Sequence, residues 1–192
     1  MGRICLIRHG ETDWNVLRKL QGRTDIPLNE NGRKQSKEVG EFLLKYQWDR
    51  IISSPLKRAV STAKIIADLN HIDVVEINEK FIERCYGLAE GMTVEERQST
   101  FPDRNYANME ELDVLSERIK TTVEQYAIEN QNKNLIIVSH GGAINSLLYQ
   151  LSHGAYGSGI TRLHMGSVSM LEFVDGKLQV EYYNRKVTTE ES

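Results

Sequence analysis

Two histidines and two arginines occupy positions from which they could bind and attack a phosphate group. Arg8 directly precedes His9, while Arg58 and His140 lie farther along the chain, each close behind an apolar run. Arginine binds phosphate oxygens through planar, charge-assisted N–H donors, so two guanidinium groups would balance about two negative charges. An imidazole near its ordinary pKa of about 6.5 is largely neutral at pH 7, and its unprotonated nitrogen can attack phosphorus.

A predicted helix would bring further donors to the same phosphate. The residues after His140 are two glycines followed by apolar side chains at helical spacing, which predicts a helix over Gly141–Leu151. The N–H groups of its first turn, with the positive end of the helix dipole, would face the anion. Gly141 and Gly142 would let the backbone approach closely. We therefore include His140 and Gly141 among the predicted phosphate-binding residues.

No metal-ligand pattern accompanies these candidates. The other histidines, His71, His153 and His164, form no cluster with Asp, Glu or Cys at the spacing that metal ligands show. We therefore expect chemistry that uses no metal and no cofactor, with a small phosphorylated molecule as the partner.

Three short apolar runs explain how the distant candidates could meet. Arg3–Arg8, Arg50–Ser53 and Asn134–Ser139 are nearly continuous in isoleucine, valine or leucine, the pattern of parallel strands that are covered on both faces. The candidate residues lie at or just beyond the ends of these three runs. In open α/β sheets, ligands bind beyond the carboxyl ends of the strands, so we expect the candidates to converge at one edge.

Helical patterns lie between the strands, and a hairpin pattern lies near the end of the sequence. Ser54-Pro55 predicts a helix over Leu56–Leu69, with the serine as its cap and the proline in its first turn. Apolar residues at helical spacing predict another helix over Met109–Ala127. Asp175-Gly176 joins the last two β-rich runs as a two-residue hairpin turn does. The alternation of strands and helices predicts a helix-covered α/β sheet.

Length and composition limit the classes of protein to which this chain could belong. Its 192 residues suffice for one domain, which we place at residues 1–185, with a polar tail at 186–192. A net charge of −3 gives no reason to expect nucleic acid or an anionic membrane as a partner. The longest apolar runs have four residues, far fewer than the roughly 20 of a membrane-spanning helix. Because there are only two cysteines, we expect a cytoplasmic protein.

Five segments of the sequence resemble one known protein family. Residues 6–15, Leu-Ile-Arg-His-Gly-Glu-Thr-Asp-Trp-Asn, closely resemble the signature of the histidine phosphatase superfamily, which includes the cofactor-dependent phosphoglycerate mutases. The other segments match in the family's order: 21–28 with Asn31-Gly32, 53–59 with Thr62-Ala63, 83–87, and 139–142. The resemblance implies a three-layer α/β/α sandwich, with a mostly parallel central sheet and a C-terminal β-hairpin.

The resemblance also implies a role for each matching residue. His9 would be the nucleophile that becomes phosphohistidine. The residues that would bind the phosphoryl group are Arg8, Arg58 and His140, together with Asn15, Gln21, Gly22 and Gly141. Glu83 would protonate the leaving oxygen and then activate water, although only the resemblance selects Glu83 over Glu11.

Within the superfamily, the sequence is similar to the small, broad-specificity phosphatases of the PhoE type. This similarity implies a metal-independent enzyme that hydrolyses small phosphomonoesters. The related mutases carry a basic insertion that covers the site, whereas residues 88–112 would form only a short substrate-covering segment here. The alternatives are a bisphosphate-dependent phosphoglycerate mutase, an α-ribazole phosphatase-like enzyme and a non-catalytic module that binds a phospho-ligand. The sequence leaves open whether the chain is a monomer or a dimer.

Overall fold

The computed structural model describes residues 2–187, and within them the chain forms six β-strands and six α-helices. The strands are β1 (Arg3–Arg8), β2 (Arg50–Ser53), β3 (Val75–Ile77), β4 (Leu135–Ser139), β5 (Val168–Val174) and β6 (Lys177–Arg185). The helices are α1 (Asp13–Val16), α2 (Glu30–Leu43), α3 (Lys57–Leu69), α4 (Val94–Thr100), α5 (Leu112–Glu129) and α6 (Gly141–Leu151). None of these helices has the length and apolar character needed to cross a membrane. Most of the predicted polar tail at 186–192 lies outside the described residues.

The six strands form one mixed sheet in the order β3-β2-β4-β1-β5-β6. Strands β1 to β4 run parallel to one another, as the apolar sequences of β1, β2 and β4 predict. Arg8 pairs with Ser139 at the ends of β1 and β4, and Ser53 pairs with Val138 at the end of β2. Because these ends are in register, the chain leaves all three strands at the same edge of the sheet.

Helices cover both faces of the sheet. Cys5 and Ile7 of β1 pack into a core with residues of α2 and α3, whereas Ile4 and Leu6 pack into a second core with residues of α5 and α6. Successive side chains of a strand point to opposite faces, so one buried strand contributes to both cores. The predicted three-layer α/β/α sandwich is confirmed.

Strands β5 and β6 form the predicted C-terminal hairpin. They pair antiparallel across Asp175 and Gly176, whose φ values of +48° and +75° both lie in the left-handed region. A two-residue turn of this kind matches the twist of the flanking strands, and glycine adopts it without a steric cost. Since β5 also pairs antiparallel with β1, the hairpin extends an otherwise parallel sheet.

Helix α3 begins without the serine cap that the sequence predicts. The helix starts at Lys57 after Leu56, which makes no side-chain capping bond, so the assignment of Ser54 as the cap is wrong. The Ser54 hydroxyl oxygen instead lies 2.6 Å from Nε2 of His140. The same oxygen accepts a long hydrogen bond from the N–H of Leu56 at 3.4 Å, so Ser54 contacts the residue before the helix as well as the distant histidine without capping the helix itself.

Helix α5 begins later than its apolar pattern predicts. It starts at Leu112 rather than Met109, because Met109 pairs with Tyr86 in an isolated antiparallel bridge. The connection between β3 and α5 also contains α4 and two short 3-10 helices, Glu79–Phe81 and Gly87–Ala89. This connection is ordered and contributes one wall of the cavity described next.

Candidate active site

A cavity of about 520 Å³ lies where β1, β2 and β4 end. The predicted site residues that line it are Arg8, His9, Asn15, Gln21, Gly22, Arg58, Glu83 and Gly141. His140 is buried close by, and its ring centroid is 5.1 Å from that of His9. The sheet thus brings residues from distant parts of the sequence to one place, as the positions of the strand ends predict.

His9 is fixed in one orientation and one tautomer. It follows β1 directly and is only 3% exposed. Its Nδ1 donates to the carbonyl oxygen of Gly10 at 2.7 Å, so Nε2 carries the lone pair. Burial, followed by the charges of Arg58 and Arg8, holds the pKa of His9 well below its ordinary 6.5. The ring is therefore neutral at pH 7, as a nucleophile must be.

Arg58 faces this lone pair from the first turn of α3. Its Nε donates to Nε2 of His9 at 3.2 Å, and its two terminal nitrogens donate to the carbonyls of Thr24 (2.8 Å) and Gly22 (2.7 Å). The side chain is 1% exposed, and burial lowers the pKa of Arg58 to about 10. The guanidinium remains charged at neutral pH, so a fixed cation stands beside the nitrogen that could attack phosphorus.

His140 lies at the N-terminal end of α6, and its two ring nitrogens have different surroundings. Nε2 is 2.6 Å from the Ser54 hydroxyl oxygen, whereas Nδ1 is buried and has no hydrogen-bond partner among the described residues. Burial, followed by the charge of Arg58, keeps the pKa of His140 well below 6.5. A buried polar nitrogen without a partner is the arrangement expected where a ligand oxygen binds.

Arg8 reaches the cavity from the end of β1. One terminal nitrogen donates to the carbonyl of Leu163, whereas Nε is buried and unpaired within residues 2–187. A Cβ at Gly141 would lie only 3.3 Å from that Nε, so this glycine lets the start of α6 approach the guanidinium closely. Burial lowers the pKa of Arg8 from its ordinary value. The unpaired Nε is a second buried donor that a bound anion would satisfy.

Thr12 orients two carboxamide side chains at the cavity wall. It is not among the residues that the sequence predicts for the site. Its backbone N–H donates to Oδ1 of Asn15 at 3.0 Å, and its hydroxyl donates to Oε1 of Gln21 at 3.0 Å. Since both amide oxygens are occupied, the NH2 groups are the parts of Asn15 and Gln21 that remain for a ligand. Donors therefore line this wall, which suits an anion.

Glu83 is bound to the start of α6. Its carboxylate accepts hydrogen bonds from the backbone N–H groups of Gly142 (3.0 Å), Ala143 (2.9 Å) and Arg84 (2.8 Å). The N–H groups of Gly142 and Ala143, which the sequence led us to expect at a phosphate, therefore hold Glu83 instead. The positive end of the helix dipole acts on this carboxylate.

Glu11, the alternative proton donor, is placed differently. Its carboxylate accepts hydrogen bonds from the side chains of Asn29 (3.0 Å) and Asn31 (3.1 Å), and it is not among the described residues that line the cavity. Of the two carboxylates, Glu83 is the one at the cavity wall.

Glu90 organises the loop that contains Gly22 and Thr24, whose carbonyls accept hydrogen bonds from Arg58. No motif in the sequence indicates this role for Glu90. One carboxylate oxygen accepts from the N–H groups of Arg23 and Tyr86, and the other accepts from the N–H and hydroxyl of Thr24. Gly22 has a φ of +54°, and a Cβ there would collide with the Glu90 carboxylate. Glycine is therefore required at position 22 both by the backbone conformation and by the lack of space.

The donor set at the cavity matches the requirements of a phosphate group. Within residues 2–187, no three His, Cys, Asp or Glu side chains cluster as a metal ion would need. Four further cations line the cavity without any signal in the sequence to distinguish them from surface charges: Arg18, Lys19, Arg97 and Arg162. A neutral imidazole, fixed cations and amide donors together can bind phosphoryl oxygens and attack the phosphorus.

A family model and two known sequences are similar to this chain. A sequence model of the histidine phosphatase superfamily (branch 1) matches residues 4–186. The uncharacterized phosphatase PhoE of Bacillus subtilis (strain 168) is 45% identical over 184 residues, which cover 96% of this chain and 95% of that protein. A metal-independent phosphoserine phosphatase of Arabidopsis thaliana is 30% identical over 194 residues, which cover 94% of this chain and 80% of that protein.

A solved structure has a similar fold. A mutant phosphoserine phosphatase from Entamoeba histolytica, determined in complex with phosphoserine, is similar to this chain with a TM-score of 0.83 and 29% identity. The match covers 97% of this chain and 98% of that one. These relatives support a hydrolase that acts on phosphate esters. The chain belongs to the histidine phosphatase superfamily.

Proposed function

We propose that this chain is a metal-independent phosphatase that hydrolyses small phosphomonoesters through a phosphohistidine intermediate on His9. One observation carries the proposal. Because Nδ1 of His9 donates to Gly10, the lone pair of Nε2 points to Arg58, at a cavity lined by anion-binding groups. The nucleophile and the donors are therefore positioned before the substrate binds, and such preorganisation lowers the barrier to phosphoryl transfer.

In the first step, a phosphoryl oxygen would take over the hydrogen bond that Nε of Arg58 donates to Nε2 of His9. The freed lone pair of Nε2 would then form a bond to phosphorus while the ester P–O bond breaks. Arg8, Arg58 and Nδ1 of His140 would stabilise the charge on the phosphoryl oxygens. Glu83 would give a proton to the leaving oxygen, so that an alcohol departs rather than an alkoxide. The step leaves phosphohistidine and an ionised Glu83, whose carboxylate three backbone N–H groups stabilise.

In the second step, water would take the place of the alcohol. The Glu83 carboxylate would accept a proton from the water as its oxygen attacks phosphorus. The P–N bond breaks, its electron pair returns to Nε2 of His9, and inorganic phosphate leaves. Glu83 is then protonated again and His9 is neutral, so the cycle closes without a metal or a cofactor.

Two further observations support the finer parts of the proposal. The Arabidopsis thaliana relative is by its name metal-independent, and here arginine and histidine supply the cationic and donor groups that a metal would otherwise provide. Cys5 and Cys85 are both free thiols, as expected in the reducing cytoplasm where we place the enzyme.

Residues 88–112 would cover the bound substrate, and the position of this segment supports that role. Val94 and Arg97 from this segment line the cavity beside the phosphate-binding groups.

In a mutase, the phosphohistidine would return its phosphoryl group to the bound product, whereas in a phosphatase water receives it. An α-ribazole phosphatase-like enzyme would differ only in the alcohol that leaves.

Hydrolysis of a panel of phosphomonoesters in the presence of EDTA tests the proposal. We expect release of phosphate from p-nitrophenyl phosphate and from several sugar and carboxylic-acid phosphates, with no effect of EDTA. The His9→Ala variant should retain less than a few per cent of the activity, whereas His164→Ala, at an exposed histidine outside the cavity lining, should retain it. Isomerisation of 3-phosphoglycerate only when 2,3-bisphosphoglycerate is present, without phosphate release, would instead identify a mutase.

A further inference from the structure

The cavity carries more positive charge than a single phosphate group requires. Six cationic side chains line it, namely Arg8, Arg18, Lys19, Arg58, Arg97 and Arg162, and Glu83 is the carboxylate among the lining residues. A phosphate dianion accounts for two of these cations, which are Arg8 and Arg58 in the proposed reaction. The other four cations are in excess of what the phosphate needs, although the net charge of the whole chain is −3.

Several arginines outside the cavity lining are paired with carboxylates. Arg23, Arg50 and Arg118 each form an ion pair with a glutamate. In the described part of the chain, by contrast, no carboxylate lies within ion-pair distance of Arg97 or Arg162. Clustered like charges destabilise a fold unless an opposite charge offsets them, so a cavity built in this way favours an anionic ligand.

Arg97 is held at the cavity by the residues just before its own helix, α4. A terminal nitrogen donates to the carbonyl of Met92 at 3.1 Å, and the side chain is half-buried. Helix α4 is itself fixed by a capping box, in which Thr93 and Glu96 exchange side-chain and backbone hydrogen bonds. The remaining N–H groups of Arg97 are therefore presented from a braced position rather than from a mobile surface side chain.

Arg162 lies on a second wall, in the connection between α6 and β5. Side-chain amides brace this connection, since Asn145 donates to the carbonyl of Thr161 at 2.8 Å and Asn184 donates to the carbonyl of Arg162 at 3.2 Å. Arg162 and Arg8 line the same cavity, and the charge of Arg162 adds to the effect of burial in lowering the pKa of Arg8. An anion bound next to the phosphate would therefore lie close to Arg162.

We infer that Arg97 and Arg162 form a subsite for a second anionic group, carried by the leaving-group part of the substrate. The inference rests on the proposed function, because the first anion is the phosphoryl group that His9 would attack. The second group is a carboxylate or another phosphate, since guanidinium binds both through paired N–H donors. Lys19 has a different environment, packed over the Trp14 ring at 5.7 Å, and we do not assign it to the subsite.

Substrates that differ in one charged group test the subsite directly. 3-Phosphoglycerate and glycerol 3-phosphate differ in a carboxylate in place of a hydroxymethyl group, and 1,3-propanediol bisphosphate and 3-hydroxypropyl phosphate differ in a second phosphate. We expect kcat/KM to be about tenfold or more higher for the member of a pair that carries the second anion. The pair that shows the preference identifies which anion the subsite binds.

Variants connect the preference to the two arginines. Arg97→Gln and Arg162→Gln should each reduce the ratio of kcat/KM within the preferred pair by about fivefold to tenfold, and the effect should weaken at high salt. Arg33→Gln is the matched control, because Arg33 is exposed on α2 and is not among the residues that line the cavity. This variant should leave the ratio unchanged.

The outcomes separate the two proposals. Phosphate release from both members of each pair at equal kcat/KM would overturn the subsite while the phosphatase assignment stands. A preference that survives in both Arg97→Gln and Arg162→Gln would also overturn it. No phosphate release from any of the four compounds or from p-nitrophenyl phosphate would overturn the proposed function itself.

Discussion

Nε of Arg58 donates a hydrogen bond to Nε2 of His9 over 3.2 Å, inside a site where both side chains are almost fully buried. The bond is possible only because His9 is neutral and because its other ring nitrogen is committed to Gly10. Arg58 is in turn held by the carbonyls of Gly22 and Thr24. The proposed nucleophile and the cation that would bind the phosphoryl group are thus positioned by each other.

The same geometry predicts how His9 titrates. Burial and the charges of Arg58 and Arg8 disfavour the imidazolium and lower the pKa of His9, so the neutral form persists as the pH falls below 6.5. Histidine NMR should show His9 neutral at pH 6.5, where a free imidazole is about half protonated. In Arg58→Gln the pKa of His9 should move upward, toward its ordinary value. A His9 ring that is half protonated at pH 6.5 in the unmodified protein would contradict this description of the site.

Removal of the Arg58 side chain should affect catalysis strongly. Arg58→Ala deletes a buried, preorganised donor to the transferred group, and we expect kcat/KM for p-nitrophenyl phosphate to fall about 100-fold or more. Lys57→Ala is the neighbouring control, since Lys57 is exposed and its ammonium pairs with Asp25 at 3.5 Å. A nearly unchanged rate in Arg58→Ala would place this residue outside the phosphate-binding machinery.

Ser54 should act as a positioning residue for His140. A hydroxyl that donates to Nε2 leaves the proton of His140 on Nδ1, which is the unpaired nitrogen and the one that would donate to a phosphoryl oxygen. Ser54→Ala should lower kcat about tenfold and increase the population of the Nε2–H tautomer in ¹⁵N spectra. If kcat falls while the tautomer is unchanged, the serine supports the fold and not the proton position.

The role of Glu83 can be separated from that of Glu11 by varying the leaving group. In Glu83→Gln, release of the alcohol from an alkyl phosphate in the first turnover should slow by about 100-fold or more, whereas p-nitrophenolate needs no proton and its release in the first turnover should slow much less. Glu11→Gln is the matched control, because Glu11 is bonded to Asn29 and Asn31 away from the cavity lining. Equal slowing of both substrates in the first turnover of Glu83→Gln would remove this residue from the role of general acid.

Much of the fold follows from local patterns in the sequence. The bounds of β1, β2 and α6 agree with the prediction, because continuous apolar runs and the glycines at the start of α6 are signals contained within each segment. The alignment of parallel strand ends then places Arg8, His9 and His140 together. These residues could be brought to one site without any knowledge of their side-chain contacts.

The contacts that brace the site could not be predicted in this way. Glu90 accepts a hydrogen bond from Arg23, 67 positions away, and a glutamate in a loop has no local feature that distinguishes it from a surface charge. Local rules favour serine as the cap of α3, but the contact of Ser54 with His140 depends on how two strands pair. Arg97 and Arg162 likewise become cavity residues only through the packing of separate connections.

Trapping of the covalent intermediate tests the central claim most directly. The protein and its Glu83→Gln variant, in which breakdown of the intermediate should be slow, would be mixed with p-nitrophenyl phosphate, quenched in base and digested with trypsin for mass spectrometry. We predict one phosphoryl group on His9 in the peptide of residues 9–18, stable in base, lost in acid and absent from His9→Asn. Turnover without phosphorylation of this peptide in either protein, or a phosphoryl group on a different residue, would contradict the account.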